Sequence, residues 1–287
     1  QKYLLTNQCY TKYTYTITSS VAPILKTEWS QYSPYNAKVA ERYKEKTGSY
    51  DAYYVPTGCA PLAAAQIMAY WQYPSSIQGY DGAINLNWQK IKDVQDLSKY
   101  YDYGIREQIQ YLLSYVGEGM NVCYAKGGSG TTIIEAQKYL HKLGYKAEIE
   151  DYSYEKVVSH LNEMHPLFIQ GIDSIGHAWV TDGYIENSVR RQDDLTYVVI
   201  TSNTVNYGEP PLFVKETAVS TQNAKYLHFN WGAGPNCNGY YLKDIFKVKD
   251  RYVIDKNNSA KLTKDEIKDD NKVYDFCNNV KILNIYR

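Results

Sequence analysis

Charge of one sign is missing from this chain: its 31 basic and 31 acidic side chains cancel. Such a balance creates no electrostatic pull toward nucleic acid or an anionic membrane, and neither is expected as a partner. Also missing is any run of about 18 apolar residues, the length needed to cross a bilayer as a helix. The five cysteines, Cys9, Cys59, Cys123, Cys237 and Cys277, include no CxxC pair. That argues against a zinc ribbon and against a disulfide-dense scaffold. An odd number leaves at least one thiol unpaired within a monomer, and the sequence does not choose among the pairings of the others. No repeat with a period of about 20 to 50 residues stands out. There is no initiator Met and no signal-like apolar start, so Gln1 is expected to follow a processing boundary, and residence in the cytoplasm does not follow.

What is present is a chain of 287 residues with 44% hydrophobic content, enough for one large domain or two lobes. Its 32 tyrosines far outnumber five phenylalanines and five tryptophans. Tyrosine suits half-buried strands and wet grooves, where a ring and a polar tip are both useful. Residues 1–24 alternate threonine, tyrosine and small apolar residues and read as an extended arm or edge strand. Helical texture follows. Ala60 to Trp71 holds strong helix formers with Pro61 in the first turn. Arg106–Met120 spaces Ile109, Leu112, Leu113 and Val116 as an amphipathic helix that Gly117 is expected to stop. "GGSGTTIIEAQKYLHKLGY" reads as a glycine loop, a Thr cap, a helix and a stop at Gly144. The loop lacks the GxxxxGKS/T pattern of a phosphate cradle.

From about residue 165 the period becomes two. "PLFIQGI", "HAWVTDGYI", "TYVVITS", "KYLHFNWG" and "GYYLKDI" are short strand-like runs between turns, an antiparallel sheet or barrel. "SAKLTKDEIKDDNK" is expected to be a charged turn or helix, and "NVKILNIYR" a last strand. Helices first and strands second make an α+β chain: an arm over 1–24, a helical lobe over 25–150 and an antiparallel β lobe over 151–287. A site is expected in the cleft between the lobes.

One thiol is set apart. Cys59 follows a Thr-Gly turn and opens the Ala-rich helix. Free N–H groups and the positive end of a helix dipole stabilise a thiolate there, and the same N–H groups can hold an oxyanion beside the sulfur. A buried cysteine filling space is the competing reading. A thiolate nucleophile wants an imidazole. His141 and His160 lie in polar or helical stretches, His165 precedes a proline, and His228 lies inside a strand. His177 follows a tight Ser-Ile-Gly turn and opens an apolar strand, which would hold its ring at a rigid edge.

With these segments in hand, the chain resembles the streptopain family of papain-like cysteine peptidases, peptidase family C10. The resemblance rests on "WSQYSPYN" (Trp29–Asn36), "TGCAPLAAAQIMAYWQYP" (Thr57–Pro74), "GHAWVTDGY" (Gly176–Tyr184) and "HFNWG" (His228–Gly232), in that order. The stretch Val116–Leu140 resembles the family's glycine loop and helix. The resemblance implies a papain-like two-lobed fold and a secreted or surface-displayed endopeptidase that acts on protein or peptide substrates. Cys59 falls on the nucleophile, His177 on the general base and acid, and Gln31 on the oxyanion-hole glutamine. Asn230 falls where a side chain would orient the imidazole, and Trp231 where a ring would shield that bond. Gly128, Ser129, Gly176, Gly232 and Ala233 would border the substrate. No cofactor and no metal are implied, and a monomer is expected, with an N-terminal propeptide or a protein inhibitor as a further partner.

Two departures stand out. Where the family continues "NWGWGG", this chain has "NWGAGPNCNGYY", with Ala233 in place of the second tryptophan. Ile185 to Tyr226 is a long polar connection expected to carry an extra hairpin or flap. Only 58 residues precede Cys59, so a mature or nearly mature form is expected, with residues 1–24 as a remnant or accessory arm. The alternatives are another Cys-dependent acyl transfer, amidase or transglutaminase-like, and a catalytically idle tyrosine-rich surface binding protein.

Overall fold

The computed structural model describes residues 3–79, 82–200, 204–205, 210, 212–266 and 275–287. In chain order these form β1 (Tyr3–Val21), α1 (Ala37–Thr47), α2 (Cys59–Trp71), β2 (Ser76–Gln78), β3 (Ala83–Asn85), α3 (Trp88–Ile91) and α4 (Tyr103–Gly119). Then come β4 (Cys123–Ala125), β5 (Gly128–Gly130), α5 (Ile133–Lys142), β6 (Lys146–Asp151), α6 (Tyr154–Asn162), β7 (Leu167–Ile172) and β8 (Gly176–Ile200). The chain closes with β9 (Leu212–Asn230), β10 (Gly239–Leu242), β11 (Asp250–Asp255), β12 (Asn258–Glu266) and β13 (Asn278–Tyr286). Helices packed beside an antiparallel sheet make the α+β class.

Compact packing divides the chain into two units. The larger comprises residues 20–185, 226–253 and 263–287. Its centre is α2, in which every residue from Ala60 to Ala69 is buried. A helix apolar all round must be covered on all sides. The small alanines let α4, α5 and β7 pack directly against it. The main sheet runs in the order β12-β11-β10-β9-β8-β7-β13-β6, with β1 pairing β8. The last strand is thus internal: Leu283 of β13 faces Ile149 of β6 on one side and Phe168 of β7 on the other. Ile282, Leu283 and Ile285 are fully buried there, which is why the C-terminal segment returns to the sheet.

The smaller unit comprises residues 1–19, 186–225 and 254–262. The polar connection between the histidine and Asn-Trp strands is where β8 and β9 run on, so Thr196–Ile200 of "TYVVITS" continue β8 instead of forming their own strand. Residues 201–203, 206–209 and 211 of this connection lie outside the described residues. Polar links hold the unit together: Thr11 Oγ1 donates to Asp193 Oδ1 at 2.6 Å, and Asn187 Nδ2 donates to the Ala260 carbonyl at 3.3 Å.

Other local expectations are corrected. Residues 258–266 are strand β12 and not a turn or helix, while 267–272 lie outside the described residues. Gly128–Gly130 is a short strand paired with Cys123–Ala125, not a bare loop. Gly117 does not end its helix, which continues to Gly119. Both glycines serve close approach instead of termination. A Cβ on Gly119 would lie 1.9 Å from Tyr139 Cε2, and that ring is buried. Gly to Ala in an open helix stabilises by about 1 kcal/mol. At Gly119 the clash reverses the sign, and Gly119→Ala should lower stability by about 1–3 kcal/mol, read as an earlier urea midpoint at unchanged m.

Candidate active site

Cys59 is the first residue of α2, half-buried, and Gly58 before it has φ +93°. A Cβ on Gly58 would sit 3.3 Å from the Ser129 carbonyl, so a side chain there would be strained and would crowd the β4–β5 hairpin. Cys59 lines a cleft of about 360 Å³ with Ala60, Ser129, Gly130, Thr131, Thr132, Gln170, Gly176, His177 and Ala178. Of the residues expected to border a substrate, Ser129 and Gly176 line this cleft. Gly128, Gly232 and Ala233 are not among its walls. Gly232 is buried over Leu62, and Ala233 is exposed and forms a backbone bridge with Ser30.

His177 arrives from the sheet. The β7–β8 hairpin pairs Gly171 with His177 and Ile172 with Gly176, and it places the ring at the head of β8. Near-parallel aromatic rings surround the imidazole: Phe276 at 5.2 Å, Trp231 at 5.9 Å and Trp179 at 6.2 Å between centroids. Nε2 lies 3.0 Å from the Trp231 carbonyl. A carbonyl oxygen only accepts, so Nε2 carries the proton and donates, and Nδ1 is left for the sulfur. Burial alone would push the Cys59 thiol up. The charge and hydrogen bond of His177, with the backbone N–H groups of Ala178 and Ala60, outweigh it and bring the thiol below its ordinary value. Burial likewise pulls the imidazole down, and the Cys59 sulfur and Trp231 carbonyl outweigh that and raise it. Both shifts favour a thiolate–imidazolium pair.

The Asn230 side chain does not orient this ring. Its Nδ2 donates to the Thr27 carbonyl at 2.6 Å and to Gln66 Oε1 at 3.1 Å, and its Oδ1 accepts from Gly232 N–H at 3.2 Å. The backbone of its neighbour takes that place, because the side chain at 230 points into the layer behind the turn. Trp231 does stand over the imidazole, its own ring 1% exposed. The carbonyl of Gln31 accepts from Thr57 N–H at 2.9 Å, two residues before Cys59, while Ser30 bridges Ala233. Gln31 thus lies between the cysteine loop and the Trp231 turn. Its side-chain amide has no hydrogen-bond partner among the described residues.

His228 is engaged elsewhere: Nδ1 donates to Asp182 Oδ1 at 2.7 Å, and Asp182 Oδ2 accepts from Leu25 N–H at 2.9 Å. Among the described residues, His160, Glu163 and His165 bring possible metal-ligand atoms within 4.8 Å of one another. That group sits by Trp71, the opposite end of α2 from Cys59. Sequence reasoning missed Gln66 and Gln170, each a lone amide in an apolar run, and Phe276, which has no sequence signal beyond its apolar ring.

A model of the peptidase C10 family matches residues 29–241. Streptopain from Streptococcus pyogenes is 25% identical over 187 residues, 54% of this chain and 47% of that protein, so the chain spans about half the length of this curated relative. Among solved structures, active wild-type interpain A cysteine protease of Prevotella intermedia matches with a TM-score of 0.56 at 19% identity, covering 93% of this chain and 95% of that one. A prointerpain A fragment from the same organism matches with a TM-score of 0.54 at 20% identity, covering 93% of this chain and 72% of that one. At such identities the structural likeness is one of fold. The family match runs from Trp29 to Tyr241 in β10, spans Gln31, Cys59, His177 and Trp231, and takes in most of the chain, which belongs to the peptidase C10 family.

Proposed function

We propose that this chain is a secreted cysteine endopeptidase that cleaves peptide bonds through an acyl-enzyme on Cys59. The observation that carries the reading is the Cys59–His177 contact at a helix start, with Nε2 held by the Trp231 carbonyl. The Cys59 thiolate attacks the scissile carbonyl carbon and forms a tetrahedral oxyanion. The His177 imidazolium gives its Nδ1 proton to the departing amine as the C–N bond breaks. Neutral His177 then takes a proton from water, whose oxygen attacks the thioester. The acid product leaves, and sulfur and imidazolium are restored.

The oxyanion would be held by the Cys59 N–H and the Gln31 amide. The bond from Thr57 N–H to the Gln31 carbonyl supports this role, since it ties the glutamine to the cysteine loop. The cleft's neutral lining of Ser129, Thr131, Thr132 and Gln170 suits a peptide backbone without demanding a charged side chain. An N-terminal propeptide that covers this cleft before activation belongs to the same proposal, and the matched prointerpain A fragment, a pro-form, motivates it. An amidase or transglutaminase-like enzyme would use the same thiol on another acyl donor or acceptor.

An epoxide inhibitor of papain-like enzymes should label Cys59 and stop casein cleavage, and Cys59→Ala should remove both. Labelling of another cysteine, or casein cleavage by Cys59→Ala, would sink the mechanism. Activity should follow a bell in pH. It rises as Cys59 ionises, below the usual thiol range near 8.5, and falls as His177 loses its proton, above the usual imidazole value of about 6.5. A rate that tracks ordinary thiol ionisation would contradict the ion pair. Gln31→Ala should reduce kcat about 100- to 1,000-fold with little change in KM, the pattern of a lost oxyanion donor.

A further inference from the structure

Gln66 interrupts the apolar run of α2 two helical turns after Cys59 and is fully buried. A buried amide is costly unless hydrogen-bonded, so its partners matter. Its Oε1 accepts from Trp29 N–H at 3.3 Å and from Asn230 Nδ2 at 3.1 Å. Both partners are donors, which dictates that the oxygen and not the NH₂ faces them. Each partner is tied in turn. The Trp29 carbonyl accepts from Gly234 N–H at 3.2 Å, and its indole N–H donates to the Val94 carbonyl at 2.8 Å. Asn230 Nδ2 also donates to the Thr27 carbonyl, and its Oδ1 accepts from the N–H of Gly232, the residue after Trp231.

One carboxamide oxygen therefore joins three segments. These are the helix that begins with Cys59, the stretch that leads from Trp29 to Gln31, and the turn whose Trp231 carbonyl holds His177 Nε2. We propose that Gln66 is a positioning residue that sets the sulfur, the Gln31 amide and the imidazole in register, acting through Trp29 and Asn230 and touching no substrate. Its kinetic consequence rests on the peptidase reading; its effect on Cys59 does not.

The physical ground is leverage. Trp231 lies between Asn230 and Gly232, so losing the Gln66 bond removes one of the contacts that fix Asn230 and lets the turn that sets the direction of the His177 ring shift. The ring's direction decides how Nδ1 meets the sulfur. Displacements of about 1 Å in such a constellation cost on the order of 100-fold in rate. Gln66 Nε2 has no hydrogen-bond partner among the described residues, so a carboxylic acid at this position would keep the working acceptor.

The test compares Gln66→Met, which keeps length and loses the acceptor, with Gln66→Glu, which keeps it. Three quantities are read: kcat and KM on a fluorogenic peptide, Tm, and the pH dependence of Cys59 alkylation by iodoacetamide. Gln66→Met should lose about 10- to 100-fold in kcat with KM within about threefold, and its alkylation limb should move up toward an ordinary thiol. Gln66→Glu should restore most of both. A Gln66→Met protein that melts earlier yet keeps the wild-type kcat and alkylation limb would overturn the proposal, because the residue would then be structural only. Should Gln66→Met not fold, Asn230→Ser breaks the same link from the other side together with the Thr27 and Gly232 bonds, and a wild-type kcat and alkylation limb there overturn the proposal as well. Alkylation needs no peptide cleavage. A wild-type chain with a low alkylation limb but no peptide hydrolysis would sink the peptidase reading and leave this one standing; an unchanged limb in the variants sinks this one alone.

Discussion

A thiol and an imidazole held against each other in the half-buried wall of a cleft are the constraint around which this molecule is built. Burial opposes charge on either group, and only their mutual contact, with a few fixed dipoles, turns the balance toward thiolate and imidazolium. The dipoles are backbone groups. Ala60 and Ala178 present N–H to the sulfur, and Trp231 presents C=O to the ring. Backbone donors need no rotamer entropy to be held, but they demand that a helix start, a strand start and a turn meet at one place. That demand accounts for a central helix of alanines, which lets neighbours approach closely, and for the aromatic rings that stack on His177.

The layer behind the site is polar where a core would normally be apolar. Gln66, Asn230, Thr27 and Asp182 are all buried. Asp182 engages His228 and Leu25 N–H, and Asn230 engages Gln66 and Thr27. Directional bonds of this kind specify one arrangement of segments where apolar packing alone would tolerate several. A site that works by distance and angle benefits from that specificity more than from the free energy each bond contributes.

The two imidazoles that compete in the strand region illustrate how far local reading reaches. A histidine after a tight turn and before an apolar strand is held at an edge, so His177 is legible as a cleft residue. The reading of His228 as a strand residue also holds, but its Asp182 partner is 46 positions away and invisible to any local pattern. The same distance problem hides the correction at Asn230. Its amide is next to Trp231 in sequence, yet whether the side chain or the neighbouring carbonyl meets His177 depends on which face of the turn looks inward. Glycines in α4 mislead for a related reason: Gly117 reads as a stop, while the ring it makes room for comes from another segment.

Periodicity and residue chemistry by themselves determined the helix at Cys59, the strand that carries His177 near its start and the α+β order, and they singled out one thiol and one imidazole as candidates that the family resemblance then paired, because each depends on neighbours within a turn or a hairpin. Only the tertiary structure decided that β13 is an inner strand, that β8 and β9 run on through the polar connection, and that the Trp231 carbonyl and not the Asn230 amide holds the ring. Those outcomes are set by which distant surfaces bury one another, and burial is a property of the packed chain that no short window of sequence contains.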